Sequence, residues 1–285
     1  MKKTIIIIVS AIVALTLLTG CGGTDFDEEN SISVLAREDG SGTKGAFMEL
    51  IDLKGKPDPK GVILQTGTAA ILAGVETNKY AIAYESLGYL TDDVKALEVD
   101  GVKASVANIK NGTYKISRPL SVVYQESTLD NKLNKAFFEF LQSTEAQTII
   151  NDKGYVSVVE NSLSYIKDTS LSGTINISGS TSLQPLMDKL VEKFESLQTG
   201  VKVNVTGGGS GTGYNNAKDG VSTFGMISEE FTSSKASNCT HYVVAKDGIA
   251  VIVNKSNPLK NITLEDLSKI YDEESPGYKW SEFIK

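Results

Sequence analysis

Three short loops of similar composition carry most of the residues that could bind a ligand. They are Asp39-Gly40-Ser41-Gly42-Thr43, Ser178-Gly179-Ser180-Thr181-Ser182 and Gly207-Gly208-Gly209-Ser210-Gly211-Thr212-Gly213. Each loop follows a run typical of a β-strand and precedes a run typical of a helix. The first turn of a helix has unpaired N–H groups and a partial positive charge, and Ser and Thr add hydroxyl donors. If the loops converge, the pattern predicts an oxyanion site formed mostly by neutral donors.

An arginine stands just before the first loop. Arg37 and Arg118 are the only arginines, so lysine supplies nearly all the positive charge. A guanidinium group is a fork of donors that matches an oxyanion in a bidentate manner, and Asp39 could orient it or accept a proton from the ligand. The alternative for this segment is a polar helix cap with a surface ion pair. The second loop could simply cap its helix, and the third could be a flexible turn.

The N-terminal residues have the composition of an export signal. Two lysines precede an apolar run over residues 5–18, which is short for a membrane span. Leu18-Thr19-Gly20-Cys21 resembles the bacterial lipobox, in which the signal is cut before the cysteine and the cysteine is lipidated. We therefore expect a signal peptide over residues 1–20 and a lipid-anchored tether over 21–30 that begins at the lipidated Cys21. A plain signal peptide with an incidental cysteine is the alternative.

Charge and composition limit the classes of function. The formal net charge is −7 at pH 7, and loss of the signal lysines makes the mature chain more acidic. Such a chain is a poor binder of nucleic acid, so an anion must be held by a local site. His241 is the only histidine, which argues against histidine-based metal clusters and catalytic histidines. We expect no catalytic residues, no metal and no cofactor.

Alternating strand and helix patterns indicate an α/β fold. Apolar runs predict strands that include residues 32–36, 80–84, 120–124, 174–177, 201–205 and 248–253. The spacing of apolar residues predicts one amphipathic helix over Asn134–Asn151, and Thr263-Leu264-Glu265-Asp266 has the pattern of a helix cap. A polar stretch over Glu160–Ser172 separates two regions in which the alternation is repeated.

Many segments resemble the PstS-type phosphate-binding lipoproteins of bacterial ABC phosphate importers. The matching segments are 36–43, 81–89, 117–120, 154–156, 179–186, 206–213, 224–226, 247–258, 263–271 and 280–281. Their order differs from that of the family, in which the segment resembling 173–283 comes first and that resembling 31–159 comes second. The chain therefore resembles a circular permutant. A rearranged gene, or a piece of a tandem array, is the alternative.

The resemblance implies a two-lobed periplasmic-binding-protein-like fold of type II, with the ligand in the cleft between the lobes. One α/β lobe would be split between residues 31–123 and 254–285, and the other would be contiguous over 124–253. The strands that cross between the lobes would be Ile249–Val253 and Leu120–Tyr124. Closure around the ligand would be a hinge motion.

The resemblance also implies the residues of the ligand site. Donors from the two lobes would be Arg37, Ser41, Gly42, Thr43, Thr181, Ser182 and Ser210, with Asp39 holding Arg37. Well-known members have an acidic residue, which accepts the proton of hydrogen phosphate and rejects sulfate, where this chain has Ser228. Ser228 is therefore also a predicted ligand-binding residue. Glu229 or Asp39 could serve as the acceptor instead.

The implied function is that of a non-enzymatic extracytoplasmic lipoprotein, anchored to the cell membrane. It would capture inorganic phosphate and present it to the permease subunits of an ABC importer. Two alternatives remain open at this point. The ligand could be another oxyanion, such as sulfate or molybdate, or the protein could be an anchored anion sensor without transport.

Overall fold

The computed structural model describes residues 26–284. The predicted signal peptide over residues 1–20 and the predicted lipidation site at Cys21 lie outside the described residues. Between residues 26 and 284, no helix combines the length and the apolar character needed to span a membrane.

The described residues form a mixed α/β fold in which strands and helices alternate. The strands are β1 (Ser33–Arg37), β2 (Ile63–Gln65), β3 (Ala81–Ser86), β4 (Val94–Ala96), β5 (Glu98–Val99), β6 (Ser117–Tyr124), β7 (Val156–Ser157), β8 (Gly173–Gly179), β9 (Val201–Gly207), β10 (Phe224–Ile227), β11 (Thr240–Asn254) and β12 (Asn261–Ile262). The α-helices are α1 (Gly42–Leu50), α2 (Thr68–Thr77), α3 (Val106–Lys110), α4 (Lys132–Leu141), α5 (Thr144–Asp152), α6 (Gln184–Leu197), α7 (Ser210–Lys218) and α8 (Leu264–Tyr271). The predicted α/β class is confirmed.

One long strand connects the two halves of the main sheet. The strand order is β2-β1-β3-β11-β6-β10-β8-β9, and β4 and β7 also pair with β11. Residues Thr240–Gly248 of β11 pair antiparallel with β6, whereas Ile249–Val253 pair antiparallel with β3. Parallel pairs lie on both sides, β1 with β2 and β3 on one, and β8 with β9 and β10 on the other. Strand β11 therefore belongs to both halves.

Two large groups of buried apolar side chains give each half its own core. The first core includes side chains from β1, β3, α1 and α2, the C-terminal half of β11, and α8. The second includes side chains from β6, β8, β9 and β10, the N-terminal part of β11, and α4, α5 and α6. On both connecting strands the change of core takes only a few residues, between Ile116 and Leu120 and between Ala245 and Ile249. The molecule thus has two lobes.

The crossing points between the lobes differ from those expected. Ile249–Val253 pack in the first core, not with the contiguous segment 124–253 to which the sequence assigned them. Leu120 likewise lies inside the second core. The chain crosses at neighbouring residues, where Arg118 and Asp247 form a buried ion pair of 3.1 Å. Apolar runs mark the interior of each lobe, and the crossing itself is polar. The exact boundaries of the lobes stay a prediction.

The segment predicted as one helix over Asn134–Asn151 forms two helices, α4 and α5. The break falls before Ser143, whose hydroxyl oxygen accepts the N–H of Ala146 at 3.3 Å and so caps α5. Apolar spacing did not reveal the break because both helices bury the same kind of residue. The side chains of Phe137 and Ile150 are both fully buried.

Residues 26–30, which the sequence assigned to the tether, pack against the other end of the described chain. The Phe26 ring lies 5.9 Å from the Trp280 ring, and the backbone N–H of Trp280 donates to the carbonyl of Asn30 at 3.2 Å. The two ends of the described chain therefore lie side by side. Adjacent ends are the geometry that a circular permutation needs.

Candidate functional site

Four strand–loop–helix turns bring the N-termini of α1, α2, α6 and α7 toward one region. Three of these are the predicted loops, and the fourth is Thr66-Gly67-Thr68 at the start of α2. Gly67 and Gly209, which cap α2 and α7, both have φ of +83°, a conformation that favours glycine. The four turns present helix N–H groups and hydroxyl side chains around Arg37.

The Arg37 side chain, at the end of β1, is 1% exposed, and its guanidinium donates all five N–H groups. Nε and Nη2 donate to the two carboxylate oxygens of Glu38 at 2.9 and 3.0 Å. Nη1 donates to Glu85 at 3.0 Å and to the hydroxyl of Thr68 at 3.2 Å. The last N–H, on Nη2, donates to the hydroxyl of Thr181 at 2.8 Å. Arg37 thus joins the first lobe to the second.

Two carboxylates hold Arg37, and neither is the one suggested by the sequence. Glu38 forms the bidentate contact, and its carboxylate also accepts the N–H of Gly67 at 3.1 Å. Burial opposes the charged guanidinium, but Glu38 and Glu85 raise the pKa of Arg37. Burial likewise opposes the Glu38 carboxylate, yet the hydrogen bonds and charge of Arg37 lower its pKa. Arg37 and Glu38 therefore stabilise each other's charged form.

Asp39 does not hold Arg37, contrary to expectation. It lies in the turn after β1, where its short side chain is 94% exposed and accepts from Lys44 Nζ at 2.7 Å. The Lys44 hydrogen bond lowers the pKa of the Asp39 carboxyl. Glu229, the other suggested acceptor, pairs with Lys235 at 2.7 Å. Both carboxylates line a cavity of about 640 Å³ beside the first and third loops.

Hydroxyl groups from both lobes contact one another next to Arg37. The oxygen of Thr43, in the first turn of α1, lies 2.8 Å from that of Ser182, and the oxygen of Thr68 lies 3.2 Å from it. The Ser182 hydroxyl donates to Oε1 of Glu85 at 3.1 Å. All of these side chains are buried. They form a polar cluster, shielded from solvent, with the donors and acceptors that a small oxyanion can use.

The third loop adds Ser210, and Ser228, just after β10, completes the hydroxyl cluster. The Ser210 oxygen accepts the N–H of Ser228 at 3.0 Å and lies 3.4 Å from its hydroxyl. Gly42 faces both, because a Cβ at this position would lie 2.2 Å from the Ser210 oxygen and 2.9 Å from the Ser228 oxygen. The Gly211 N–H donates to the carbonyl of Gly40 at 3.0 Å. The first and third loops are therefore in backbone contact.

Most of the predicted ligand residues meet in this cluster. They are Arg37, Gly42, Thr43, Thr181, Ser182, Ser210 and Ser228. Ser41 stands beside them and has a local role, since its oxygen accepts the Lys44 N–H at 3.3 Å and caps α1. Asp39 and Glu229 lie outside the cluster. Contact of these residues with a ligand stays a prediction.

Sequence reasoning missed Thr68 and the two carboxylates that hold Arg37. Thr68 had a signal, because Thr66-Gly67-Thr68 repeats the strand–glycine–hydroxyl–helix pattern of the other loops. The sequence also contained a signal for Glu85. This residue follows the apolar run Ala81–Tyr84, and a carboxylate at the end of a buried strand needs a partner. The sequence could not distinguish Glu38 from Asp39, because both lie within two residues of Arg37.

Behind the cluster, a second buried ion pair supports Ser228. Arg118 Nη2 lies 3.1 Å from Asp247 Oδ2, and Arg118 Nη1 donates to the Ser228 carbonyl at 3.0 Å. Burial raises the pKa of Asp247, and the charge of Arg118 opposes that rise. Arg118 lies on β6 and Asp247 on β11, the two strands that connect the lobes. The pair therefore links a residue of the cluster to the crossing strands.

A two-lobed α/β fold that buries a cluster of oxyanion-type donors between its lobes is typical of proteins that bind a small ligand in an interlobe cleft. A family model described as a PBP superfamily domain matches residues 18–145 and 167–283. The Phosphate-binding protein PstS 2 of Streptococcus pneumoniae serotype 4 is 34% identical over 265 residues, which cover 89% of this chain and 90% of the relative. The chain therefore belongs to the PBP superfamily and, within it, to the PstS family.

A second relative and a solved structure extend the comparison. The Phosphate-binding protein PstS 2 of Streptococcus agalactiae serotype V is 33% identical over 297 residues, covering 100% of this chain and 99% of the relative. The crystal structure of a phosphate-binding protein of a phosphate ABC transporter from S. pneumoniae TIGR4 has a TM-score of 0.72 at 33% identity. The structural match covers 90% of this chain and 100% of the S. pneumoniae chain. Because both sequence alignments run along nearly whole chains, these relatives share this segment order.

Proposed function

We propose that the protein is an extracytoplasmic substrate-binding lipoprotein that captures inorganic phosphate and presents it to an ABC importer. The observation that carries the proposal is the convergence of hydroxyl groups from both lobes on the buried guanidinium of Arg37. The names of the relatives support phosphate as the ligand. The solved structure of similar fold is likewise described as a phosphate-binding protein of an ABC transporter.

Phosphate would replace contacts that the polar groups now make with one another. The bidentate contact with Glu38 fixes the plane of the Arg37 guanidinium. The N–H groups that now donate to Thr68 and Thr181 belong to Nη1 and Nη2, and a phosphate oxygen can accept both. The hydroxyls of Thr68 and Thr181, released from Arg37, can then donate to the other phosphate oxygens, as can the hydroxyl of Thr43. Each step exchanges a neutral hydroxyl acceptor for an anionic oxygen, which strengthens the hydrogen bond.

Recognition would depend on hydrogen bonds more than on net charge. Two carboxylates, Glu38 and Glu85, face the one guanidinium, so the buried charges give no positive excess. The balance would come from the N-termini of α1, α2, α6 and α7, whose first N–H groups favour an anion. Because the fold already orients these helix dipoles, they do not have to reorient when the ligand enters.

Binding and release would follow the approach and separation of the lobes. Ligand groups come from both lobes, for example Thr43 from the first and Ser182 from the second. Separation of the lobes would break the Gly211–Gly40 backbone contact and expose the ligand. This geometry suits a protein that hands its ligand to a permease. We propose binding without chemistry, in keeping with the relatives, which are binding proteins.

Export and anchoring complete the proposal. The segment Leu18-Thr19-Gly20-Cys21 would direct cleavage before Cys21 and lipidation of its thiol, which would hold the protein on the outer face of the cell membrane. Labelled palmitate should enter the wild type and not the Cys21→Ser variant. Labelling that is equal in both proteins would exclude Cys21 as the site.

Calorimetric titration of the purified protein with phosphate, sulfate and molybdate tests the ligand. We expect one phosphate per chain, bound more tightly than the other two anions. Tight binding of sulfate or molybdate without phosphate would establish the open alternative, another oxyanion. Turnover of a phosphate ester would contradict the proposal that the site only binds.

A further inference from the structure

We propose that the buried carboxylate of Glu85 makes Ser182 a hydrogen-bond acceptor toward the ligand, so that this pair selects an oxyanion that still carries a proton. The inference rests on the proposed function and assigns its specificity. The carboxylate accepts from Arg37 Nη1 at 3.0 Å, from the Ser182 hydroxyl at 3.1 Å and from the Ser86 N–H at 2.8 Å. It is fully buried.

The direction of the hydrogen bonds follows from counting protons. A serine hydroxyl has one proton and two lone pairs. The Ser182 proton is donated to Oε1 of Glu85. The short contact of 2.8 Å between the oxygens of Thr43 and Ser182 must therefore use the proton of Thr43. Thr43 is a donor in this cluster, and Ser182 is an acceptor.

The consequence for a ligand differs at the two positions. An oxyanion oxygen without a proton can accept from Thr43, but it faces only lone pairs at Ser182. A P–O–H group can donate to Ser182, and its proton then completes the chain from the ligand through Ser182 to Glu85. An unprotonated oxyanion oxygen and the Ser182 oxygen would face each other as two buried acceptors with no proton between them, which is costly, so the Glu85–Ser182 pair penalises sulfate and accepts hydrogen phosphate.

This assignment replaces the two acceptors suggested by the sequence. Asp39 is exposed and paired with Lys44, and Glu229 is paired with Lys235. Within the described site, Glu85 is the carboxylate that contacts the hydroxyl cluster through Ser182. Glu38 is occupied by Arg37 and by the Gly67 N–H. Glu85 acts as a positioning residue, because it sets the proton of Ser182.

Calorimetric titrations of Ser182→Ala and Thr43→Val with phosphate and sulfate test the inference. Ser182→Ala removes an acceptor, so phosphate affinity should fall about tenfold or more while sulfate affinity holds or rises. Thr43→Val removes a donor, so both affinities should fall by a similar factor. Arsenate, which also keeps a proton near neutral pH, should follow phosphate. Equal losses of phosphate and sulfate affinity in Ser182→Ala would overturn the proposal.

Glu85→Gln gives a second test that keeps the size of the side chain. The uncharged amide holds the Ser182 proton less firmly, so Ser182 can donate and sulfate should gain affinity relative to phosphate by about tenfold. An unchanged ratio of the two affinities would exclude Glu85 from selection. Failure of the proposed function differs from failure of this inference. If the protein does not bind phosphate, the wild type itself shows no heat with phosphate.

Discussion

The Nη2 group of Arg37 donates to the hydroxyl oxygen of Thr181 at 2.8 Å, across 144 residues of sequence. This hydrogen bond joins the end of β1 in one lobe to the turn before α6 in the other. The remaining guanidinium N–H groups go to Glu38, Glu85 and Thr68. The cation at the centre of the site is thus fixed by its own lobe and shared with the opposite one.

The forked geometry of Arg37 should matter as much as its charge. In Arg37→Lys a single ammonium cannot reach Glu38, Glu85 and the ligand together, so two charge-assisted hydrogen bonds are lost. We expect phosphate affinity, measured by calorimetry, to fall at least about 100-fold. The matched control is Lys44→Met, which removes a cation at the edge of the site that pairs with Asp39 and Asp58. A loss in the control as large as that in Arg37→Lys would contradict this assignment.

Close approach of the lobes should depend on the absence of a side chain at position 42. In Gly42→Ala the new Cβ would lie 2.2 Å from the oxygen of Ser210, so the first and third loops cannot meet as they do. We expect phosphate affinity to fall by about 100-fold, with the free energy of unfolding nearly unchanged.

Gly45→Ala, in the same helix, is the control for Gly42→Ala. Its Cβ would meet only the end of the flexible Glu229 side chain, at 2.9 Å. Since glycine destabilises a helix interior, the unfolding free energy should rise by up to about 1 kcal/mol and the affinity should change little. Equal affinities for Gly42→Ala and the wild type would show that the loops need not touch.

Stability in mild acid should depend on Glu38. Although burial disfavours its carboxylate, Arg37 lowers the Glu38 pKa below the ordinary 4.5. An acid with a lowered pKa in the folded state stabilises the fold above its ordinary pKa, and this contribution is lost as the pH falls through the lowered value. Urea unfolding should therefore find Glu38→Gln less stable than the wild type at neutral pH, with a difference that shrinks below pH 4.5.

Glu139→Gln is the control for the acid prediction, because the Glu139 side chain is 59% exposed. Its unfolding free energy should follow that of the wild type through the same pH range. A difference between Glu38→Gln and the wild type that stays constant as the pH falls would mean that Glu38 contributes packing and not charge.

The buried pair on the crossing strands should be essential for folding stability. Arg118→Met leaves Asp247 buried without its cation, so we expect a loss of about 3–5 kcal/mol and a Tm lower by roughly 10 °C. The surface control Lys135→Met, which breaks a 4.0 Å pair with Glu139, should cost at most about 0.5 kcal/mol. Arg118→Met combined with Asp247→Leu should recover part of the loss. A double variant less stable than Arg118→Met would contradict the explanation by an uncompensated charge.

The sequence predicted the local chemistry well, because it is encoded in short segments. A strand that ends in Gly and Ser or Thr before a helix shows in the sequence, and the loops at Thr43, Ser182 and Ser210 lie together as expected. The capping role of Thr263 was also readable, and its oxygen accepts the Asp266 N–H at 3.0 Å.

Features that depend on long-range packing were not readable. Whether Glu38 or Asp39 contacts Arg37 depends on the direction of each side chain where β1 ends and the turn begins. Glu85 joins the site because β3 pairs with both β1 and β11, and its carboxylate then accepts from Ser182 of the other lobe. Some of the glycines also serve packing, since a Cβ at Gly213 would lie 2.2 Å from the Met226 carbonyl.

A crystal structure of the protein with bound phosphate, or with arsenate located by anomalous scattering, would show whether the anion binds at Arg37. We expect one anion at the meeting point of the four helix N-termini, in contact with Arg37 and the hydroxyls of Thr43, Thr181 and Ser182. An anion found instead in the neighbouring cavity, between Lys44 and Lys235, would contradict this placement.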